Sequence, residues 1–268
     1  MPGTVKEAEP SHRTLPYPDL QQQAVDWHEI MRRGHTIHGF LEADITETRR
    51  VIHQARRQSG GPLSLTALIV ATFARAVAAD PGVQAFRKGR NKLVVFDDVD
   101  VNVLVEHVLN GERIPVPHLV RAAQGMSPGE IDRAIHEARD EAEPYARARR
   151  FVPIWLRMPA FFRRFIWTRL LADPQRRKRM TGTVTVTAVG MFGRGGGWGL
   201  PFIAHSICLT IGGVARRPGF GKDGLVETRE FICLTISVDH DVVNGAPVAR
   251  LVSRLRDDIE SASVLANP

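Results

Sequence analysis

The chain has 268 residues, of which 43% are hydrophobic, and this is enough for a buried core in one large domain or two small ones. Its formal net charge of +7 favours an anionic partner. We discount nucleic acid as that partner because no helix-turn-helix, zinc or RNA-binding signature accompanies the charge. No stretch of about 18 uninterrupted apolar residues is present, so the sequence excludes a membrane-spanning helix.

The N-terminal residues and the cysteines suggest a cellular compartment. Residues 1–14 are polar and lack the apolar run of a secretory signal, so we expect them to be disordered. Cys208 and Cys233 each lie in an apolar, strand-like run, where a buried free thiol is the usual outcome. We therefore expect a cytoplasmic protein without a disulfide and without a metal site.

The N-terminal part of the chain reads as a helix, a strand and two further helices. Asp19 caps the first helix and Gly34 ends it, and residues 35–45 follow as a strand. After a second helix, Ser64 begins a third over residues 65–79. Deep burial is predicted for four of its apolar side chains, Leu68, Ile69, Phe73 and Val77.

The next elements are two strands and a capped helix. Residues 92–96 and 99–105 are predicted to pair as a hairpin, with the alternate valines of the second strand on one face. Ser127-Pro128-Gly129-Glu130 forms a capping box, in which the serine and the glutamate side chains reach each other's backbone N–H groups. A helix should therefore run from here to about residue 139 or beyond.

Three strands and a final helix are predicted for the C-terminal part, and a glycine-rich connection lies between the first two strands. The strands cover residues 183–189, 206–214 and 226–238, and Pro247 fits the first turn of the helix. Since no strand-helix unit repeats, we expect one α+β domain over residues 15–268, a two-layer α/β sandwich with a mixed sheet packed against helices.

A basic amphipathic insertion occupies about residues 144–180. The stretch from Arg147 to Arg179 contains eleven Lys and Arg residues and one acid, Asp173, and aromatic residues interleave with the arginines. We predict two short helices packed on the domain with their arginines outward. Peripheral contact with an anionic membrane surface, docking of another protein and coverage of a neighbouring subunit stay open as alternatives.

His240 is the strongest candidate for a catalytic group. It follows a hydrophobic strand and precedes the terminal helix, and a strand end holds a side chain rigidly beside a solvent-accessible loop. Histidine acts as a general base near neutral pH. The local pattern His-x-x-x-Asn-Gly is short, however, and is equally compatible with a histidine that merely lies in a turn.

Several ordered motifs extend this pattern along the chain. They are residues 42–46 (Glu-Ala-Asp-Ile-Thr), 114–117 (Ile-Pro-Val-Pro), 181–193 (Thr-Gly-Thr-Val-Thr-Val-Thr-Ala-Val-Gly-Met-Phe-Gly), 201–203 (Pro-Phe-Ile) and 240–245 (His-Asp-Val-Val-Asn-Gly). Together they resemble, over roughly residues 20–262, the catalytic domain of 2-oxoacid dehydrogenase dihydrolipoyl acyltransferases, in a stand-alone form without a lipoyl domain. This family is related to the chloramphenicol acetyltransferases.

The resemblance implies a chloramphenicol-acetyltransferase-like fold and an acyl-transfer mechanism. His240 would be the general base that takes the thiol proton of coenzyme A or of a dihydrolipoyl acceptor, and Thr187 would donate to the oxyanion. The family forms trimers, or assemblies of trimers, with active sites between subunits. The implied partners are lipoyl-domain proteins or other 2-oxoacid dehydrogenase components, and the lipoyl group would arrive in trans. Coenzyme A phosphates could bind the basic insertion, although no single residue identifies such a role.

The sequence departs from the family at three places. Asn244 stands where the family has an aspartate that orders the site, so Asn244→Asp should raise turnover if an arginine lies within bonding distance and lower it otherwise. Asp241 replaces an arginine, and His205 replaces a proline and is expected to pack rather than to react. The alternative function is therefore a catalytically weak homologue that serves as an oligomeric scaffold or docking protein.

Overall fold

The fold is known from a computed structural model that describes residues 17, 19–31, 34–59, 61–109, 112–140, 151–189, 195–221 and 223–266. The predictions for residues 1–14 and for the middle of the glycine-rich connection, residues 190–194, lie outside these ranges. The same holds for residues 144–150 of the basic insertion.

A mixed six-stranded sheet forms the centre of the fold. The strands are β1 (Thr36–Asp44), β2 (Phe86–Lys88), β3 (Lys92–Val94), β4 (Val101–Leu109), β5 (Glu112–Val120), β6 (Val184–Ala188), β7 (Ile207–Phe220) and β8 (Val226–Asp239). The order in the sheet is β1-β8-β7-β6-β4-β5, and β2 and β3 form a separate hairpin. Because β6 runs parallel to β4 and β7 and the other adjacent pairs are antiparallel, the sheet is mixed, as predicted.

Helices form the second layer. They are α1 (Asp19–Met31), α2 (Thr46–Ser59), α3 (Leu65–Ala78), α4 (Pro128–Asp140), α5 (Val152–Leu156), α6 (Ala160–Leu171), α7 (Pro174–Thr181), α8 (Gly245–Ser261) and α9 (Ser263–Ala266). Helices α2, α3, α4 and α8 pack on one another and on the sheet, and the apolar core lies between the two layers. This is the predicted α+β architecture. None of the helices in the described ranges is long and apolar enough to cross a membrane.

Helix α3 is the centre of the core, and its start is the one predicted from Ser64. The Ser64 hydroxyl accepts a hydrogen bond from the N–H of Ala67 at 3.0 Å, which satisfies a backbone donor that has no partner within the helix. All four side chains predicted to be buried have no exposed surface. Since a fully buried Leu, Ile, Phe or Val contributes about 1.5–3 kcal/mol relative to an exposed one, this helix is a major source of stability.

The capping box at the start of α4 is also confirmed. The Glu130 carboxylate accepts from the backbone N–H of Ser127 at 2.7 Å, and the Ser127 hydroxyl accepts from the N–H of Glu130 at 3.3 Å. The carboxylate accepts from the N–H and also from the hydroxyl of Ser127, and these two hydrogen bonds lower the pKa of Glu130. The helix then runs to Asp140, in agreement with the prediction.

The predicted hairpin of residues 92–96 with 99–105 is wrong. Strand β3 pairs instead with β2, across the turn Gly89-Arg90-Asn91, in which Gly89 has a φ of 65°. Gly89 adopts this left-handed conformation without steric cost, which permits the turn that pairs β3 with β2. After β3, the carbonyl of Phe96 accepts a hydrogen bond from the Gln84 side chain at 2.7 Å. Strand β4 then pairs with β5 and β6 rather than with β3.

Strands β7 and β8 form a longer ribbon than the sequence indicated. Residues 216–220, predicted as part of a connection, extend β7 to Phe220 and pair with β8 down to Val226. The Arg216 guanidinium bonds the Glu230 carboxylate across the two strands at 2.8 Å. Cross-strand charge pairs of this kind favour continued pairing.

Glycines allow the loop after β6 to lie directly on β7. The register of β7 with β8 shifts between Ile211 and Val214, where Gly212 and Gly213 are located. The N–H of Gly213 donates to the carbonyl of Gly197 at 2.9 Å. A Cβ atom at Gly212 would lie 2.2 Å from that carbonyl oxygen, so any other residue there would push the loop away from the sheet.

The basic segment forms three short helices, α5 to α7, and two of them, α5 and α6, pack on α1. The predicted packing on the domain is therefore confirmed, but the number of helices is three rather than two. Most of the described arginines point outward as predicted, and Arg163 does not. Arg163 is 8% exposed, and its Nε donates to the carboxylate of Asp26, a residue of α1 that is itself 1% exposed, at 2.7 Å. The buried carboxylate draws this arginine inward, while Phe161 and Phe165 remain exposed.

Asp26→Asn should lower the free energy of unfolding by about 1.5–3 kcal/mol, because the carboxylate also accepts from Arg164 at 2.9 Å and an amide replaces it poorly. Urea unfolding followed by circular dichroism measures this change. Asp173→Asn is the matched control, since Asp173 is an exposed N-cap where asparagine is equally good. Equal midpoints for the two variants would contradict a stabilising role for the Asp26 pair.

Candidate functional site

His240 lies immediately after β8, at the rim of the sheet. The backbone fixes this point, since Asp239 N–H donates to the carbonyl of Ser206 at 2.9 Å and His240 N–H donates to that of His35 at 2.8 Å. The next turn closes when Val243, which is buried, donates its N–H to the carbonyl of Asp239 at 3.0 Å. The imidazole of His240 is exposed and has no hydrogen-bond partner among the described residues, so it is available to a ligand.

Asp241 ties this turn to the start of β1. Its Oδ1 lies 2.8 Å from Nδ1 of His35, and its own N–H donates to the carboxylate of Asp239 at 3.0 Å. The hydrogen bond with Asp241, followed by the charge of that carboxylate, raises the pKa of His35. Because His35 is 83% exposed, we ascribe to the pair a role in orienting the turn rather than in stability.

Asn244 is the N-cap residue of α8, four positions after His240. Its backbone has φ −85° and ψ 161°, as an N-cap requires, but its side chain makes no capping hydrogen bond. The side chain is exposed, and no cation in the described part of the chain bonds it. The amide group is therefore available beside His240, and the arginine on which the predicted effect of Asn244→Asp depends is not found within the described ranges.

Three alternate threonines, Thr183, Thr185 and Thr187, lie at or in β6, and two of them have side-chain hydrogen bonds within the protein. Thr183 is fully buried and donates to Gln84 Oε1 at 2.6 Å, and the Thr185 hydroxyl lies 2.6 Å from Nδ1 of His205. Thr187 is half-buried, and its hydroxyl has no hydrogen-bond partner among the described residues. Of the three, Thr187 alone can offer an O–H to a ligand.

The sheet register places Thr187 far from His240 within one chain. Thr187 lies beside Thr210 of β7, which lies beside Thr235 of β8. From Thr235 to His240 the chain advances five residues (240 minus 235), or about 17 Å at roughly 3.4 Å per residue, and two inter-strand spacings add about 10 Å sideways. The two predicted catalytic residues therefore do not meet within a single chain.

His205 is a buried structural residue, in agreement with the packing role expected of it. It is 3% exposed, and its Nε2 lies 3.1 Å from the hydroxyl of Thr181. Burial, and secondarily the charge of Arg177, lowers the pKa of His205 to about 3. The ring is therefore neutral at physiological pH and joins α7 to β6 through its two hydrogen bonds.

A small hollow opens at the same end of the sheet as His240, and no motif in the sequence pointed to it. Its walls include Gly34, Thr36, Arg87, Arg177, Ser206 and Asp239. Arg177 was one of eleven basic residues in a block, and nothing in the sequence separates it from the others. Only the folded structure shows that Arg177 lies beside Asp239, the residue that precedes His240.

Comparison with known proteins confirms the resemblance predicted from the motifs. Residues 173–266 match the family described as 2-oxoacid dehydrogenases acyltransferase (catalytic domain). The chain is 29% identical over 84 residues to the mitochondrial lipoamide acyltransferase component of the branched-chain alpha-keto acid dehydrogenase complex of Arabidopsis thaliana. This stretch is 31% of the present chain and spans 17% of the length of the plant protein.

Solved structures extend the likeness to the whole fold. The cubic core of the pyruvate dehydrogenase multienzyme complex superposes with a TM-score of 0.69 at 17% identity, covering 99% of this chain and 98% of that one. Dihydrolipoamide acetyltransferase of Azotobacter vinelandii gives the same TM-score, identity and coverage. The predicted fold is therefore confirmed for the part of the chain that the structure describes.

Proposed function

Because the C-terminal residues 173–266 match an acyltransferase catalytic domain and the fold is that of dihydrolipoamide acetyltransferase cores, we propose that this protein transfers an acyl group between coenzyme A and a thiol. A dihydrolipoyl group carried by another chain is the first candidate acceptor, and a small-molecule thiol is the second. The observation that carries this proposal is the exposed imidazole of His240, held by its backbone at the end of β8 and free of partners in the described chain.

The proposed chemistry begins with a proton transfer. His240 takes the proton of the acceptor thiol, and the thiolate attacks the thioester carbonyl carbon to form a new carbon–sulfur bond. The carbonyl electrons move to oxygen, and the Thr187 hydroxyl donates a hydrogen bond to this oxyanion. When the tetrahedral intermediate collapses, the bond to the coenzyme A sulfur breaks, and the leaving thiolate takes the proton back from the imidazolium.

This mechanism needs at least two subunits, since Thr187 and His240 of one chain are separated along and across the sheet. We propose a homotrimer, or an assembly of trimers, in which one subunit supplies His240 and its neighbour supplies Thr187. The cubic core of the structural relative supports this choice, because a cubic assembly contains threefold axes. Lipoyl-domain proteins or other 2-oxoacid dehydrogenase components are the proposed partners, and the cytoplasm is the proposed location.

Asparagine at position 244 is compatible with catalysis. The catalytic mechanism of the Azotobacter vinelandii enzyme has been linked to a serine, a histidine and an asparagine, and that asparagine follows the histidine by four residues. His240 and Asn244 have the same spacing. An asparagine side chain supplies two N–H donors, which a carboxylate lacks. We therefore assign to Asn244 a hydrogen bond that orders the substrate or His240.

Asn244→Asp should lower turnover by about tenfold, because the substitution removes the N–H donors and no described cation can form an ion pair with the new carboxylate. Stability should instead rise by about 0.3–1 kcal/mol, since a carboxylate at a helix N-terminus is favourable. Steady-state turnover and urea unfolding of both forms measure the two effects. Higher turnover in the aspartate form would show that a cation outside the described residues pairs with this position.

Incubation of the purified protein with a panel of acyl-coenzyme A thioesters and thiol acceptors tests the proposed function. Chromatography of free coenzyme A and of the acylated acceptor measures transfer. Transfer above the uncatalysed rate supports the enzyme, whereas its absence for every donor and acceptor supports the alternative, a scaffold or docking protein that has kept the fold. The exposed Phe161 and Phe165 of α6 would then be the first surface to examine.

A further inference from the structure

Arg177 is held firmly in the wall of the hollow at the His240 end of the sheet. Its Nη2 donates to the carbonyl of Ala204 at 2.5 Å, and its Cζ lies 4.2 Å from the centre of the Phe86 ring. A guanidinium stacked on an aromatic ring and bonded at one corner has little rotational freedom. Its remaining donors are therefore fixed in direction.

One of these donors is buried and has no hydrogen-bond acceptor in the described part of the chain. The Nε of Arg177 is out of contact with solvent and has no hydrogen-bond partner among the described residues. The Asp239 carboxylate attracts the guanidinium through space but does not occupy this donor. Burial, partly offset by the charge of Asp239, lowers the pKa of Arg177 to about 10, so the group remains charged at neutral pH. A buried, charged N–H without an acceptor is costly, and an acceptor that carries negative charge relieves that cost most.

The surroundings favour a small anion. Arg87, on β2, adds a second and exposed guanidinium to the wall, against the single carboxylate of Asp239, and His205 is neutral. The Asp239 carboxylate already accepts the N–H of Asp241. The cavity volume of about 70 Å³ leaves room for one group of the size of a phosphate or a carboxylate.

We propose that this hollow is an anion site, with the half-buried Arg177 as its anchor and Arg87 at its mouth, and that it binds a phosphate or a carboxylate of the acyl-transfer substrate. The site lies beside the proposed base, since Asp239 directly precedes His240 and the carbonyl of His35 holds the His240 N–H. The assignment to a substrate rests on the proposed function. The existence of the anion site does not.

Titration of the intact protein with inorganic phosphate, at constant ionic strength set with sodium chloride, tests the site itself. Calorimetry should show saturable binding, and phosphate should raise the melting temperature by mass action. Arg177→Met should abolish both effects, and Arg87→Gln, at an exposed position that does not threaten folding, should weaken binding by about tenfold. Arg176→Met, an exposed arginine on the same helix, is the matched control and should bind as the wild type does.

Comparison of KM values within two pairs of substrates identifies which group of the substrate supplies the anion. If the hollow holds the 3′-phosphate of coenzyme A, 3′-dephospho-coenzyme A should have a KM about tenfold higher than coenzyme A, with kcat unchanged. If it holds an acyl carboxylate, succinyl-coenzyme A should have a KM about tenfold lower than butyryl-coenzyme A. In either case Arg177→Lys, which keeps the charge and loses the fork, should reduce the preference.

The outcomes separate the two proposals. Phosphate binding that is absent, or that persists in Arg177→Met, overturns the anion site. Saturable, Arg177-dependent binding without transfer of any acyl group supports the site and overturns the proposed function. Binding together with acyl transfer whose KM is the same within both substrate pairs overturns the assignment of the site to the substrate.

Discussion

His240→Ala should lower acyl transfer by about 10²–10⁴-fold, the range that a positioned general base contributes. The loss should appear in kcat, because the imidazole acts on the thiol proton in the transition state rather than on binding alone. The free energy of unfolding should change by less than about 0.5 kcal/mol, since the His240 side chain is exposed and unpartnered among the described residues. Turnover and thermal unfolding of the same preparation measure both.

His53→Ala is the control for this experiment. His53 is an exposed histidine of α2 and should be replaceable without loss of activity. Near-wild-type transfer by His240→Ala would show that the base is another group and would overturn the proposed mechanism. Equal losses in the two histidine variants would point to a general effect of removing a surface imidazole.

Local patterns in the sequence predicted most of the elements because their causes are local. The capping residues Ser64 and Ser127 begin helices where predicted, since the bonds they make are to backbone groups three residues away. The alternation of valines in β4 likewise predicted its buried face. In each case the information lies within a few residues of the element.

The errors occurred where pairing depends on distant segments. Strand β5 was not predicted, because Pro115 and Pro117 interrupt its pattern. It is an edge strand of the sheet, however, and a missing N–H is tolerated there. The partner of β3 was misassigned because strand alternation does not specify which strand pairs with which. The inward turn of Arg163 depends on Asp26, which lies 137 residues earlier.

The candidate site was predicted only in part for the same reason. The motif around His240 is contiguous, so a single strand end reveals it. The hollow beside it combines residues of β1, β2, α7 and β8, and no short sequence pattern links Arg87 with Arg177. The need for two subunits is harder still to predict from the sequence, because the distance between Thr187 and His240 depends on the register of three adjacent strands.

Mixed trimers of Thr187→Val and His240→Ala subunits should recover activity that neither parent has. The valine variant removes the hydroxyl and keeps a β-branched side chain of similar shape at a half-buried strand position, so the fold should be retained. Loss of one oxyanion donor should cost about 10²–10³-fold in kcat. Each parent is then nearly inactive for a different reason.

In a cyclic trimer with sites between neighbours, a site is intact when its His240 comes from a Thr187→Val subunit and its Thr187 from a His240→Ala subunit. Random mixing of equal amounts makes about one quarter of the sites intact, so the mixture should show about a quarter of wild-type activity. Co-refolding of differently tagged subunits, with turnover measured before and after mixing, tests this value. Activity equal to the mean of the parents would show that no intact shared site forms, and would contradict a site divided between neighbouring subunits.

A double variant, His240→Ala with Thr187→Val in one chain, provides the complementary test. Mixed in equal amounts with wild-type subunits and co-refolded, it should leave about one quarter of the sites intact, because both groups must come from wild-type neighbours. Unmixed trimers of the two kinds would retain about one half. A specific activity that falls by half on mixing therefore indicates shared sites. An unchanged activity, or a monomer in light scattering at micromolar concentration, would place the complete site in a single chain. Either result would contradict the register that separates the two proposed groups.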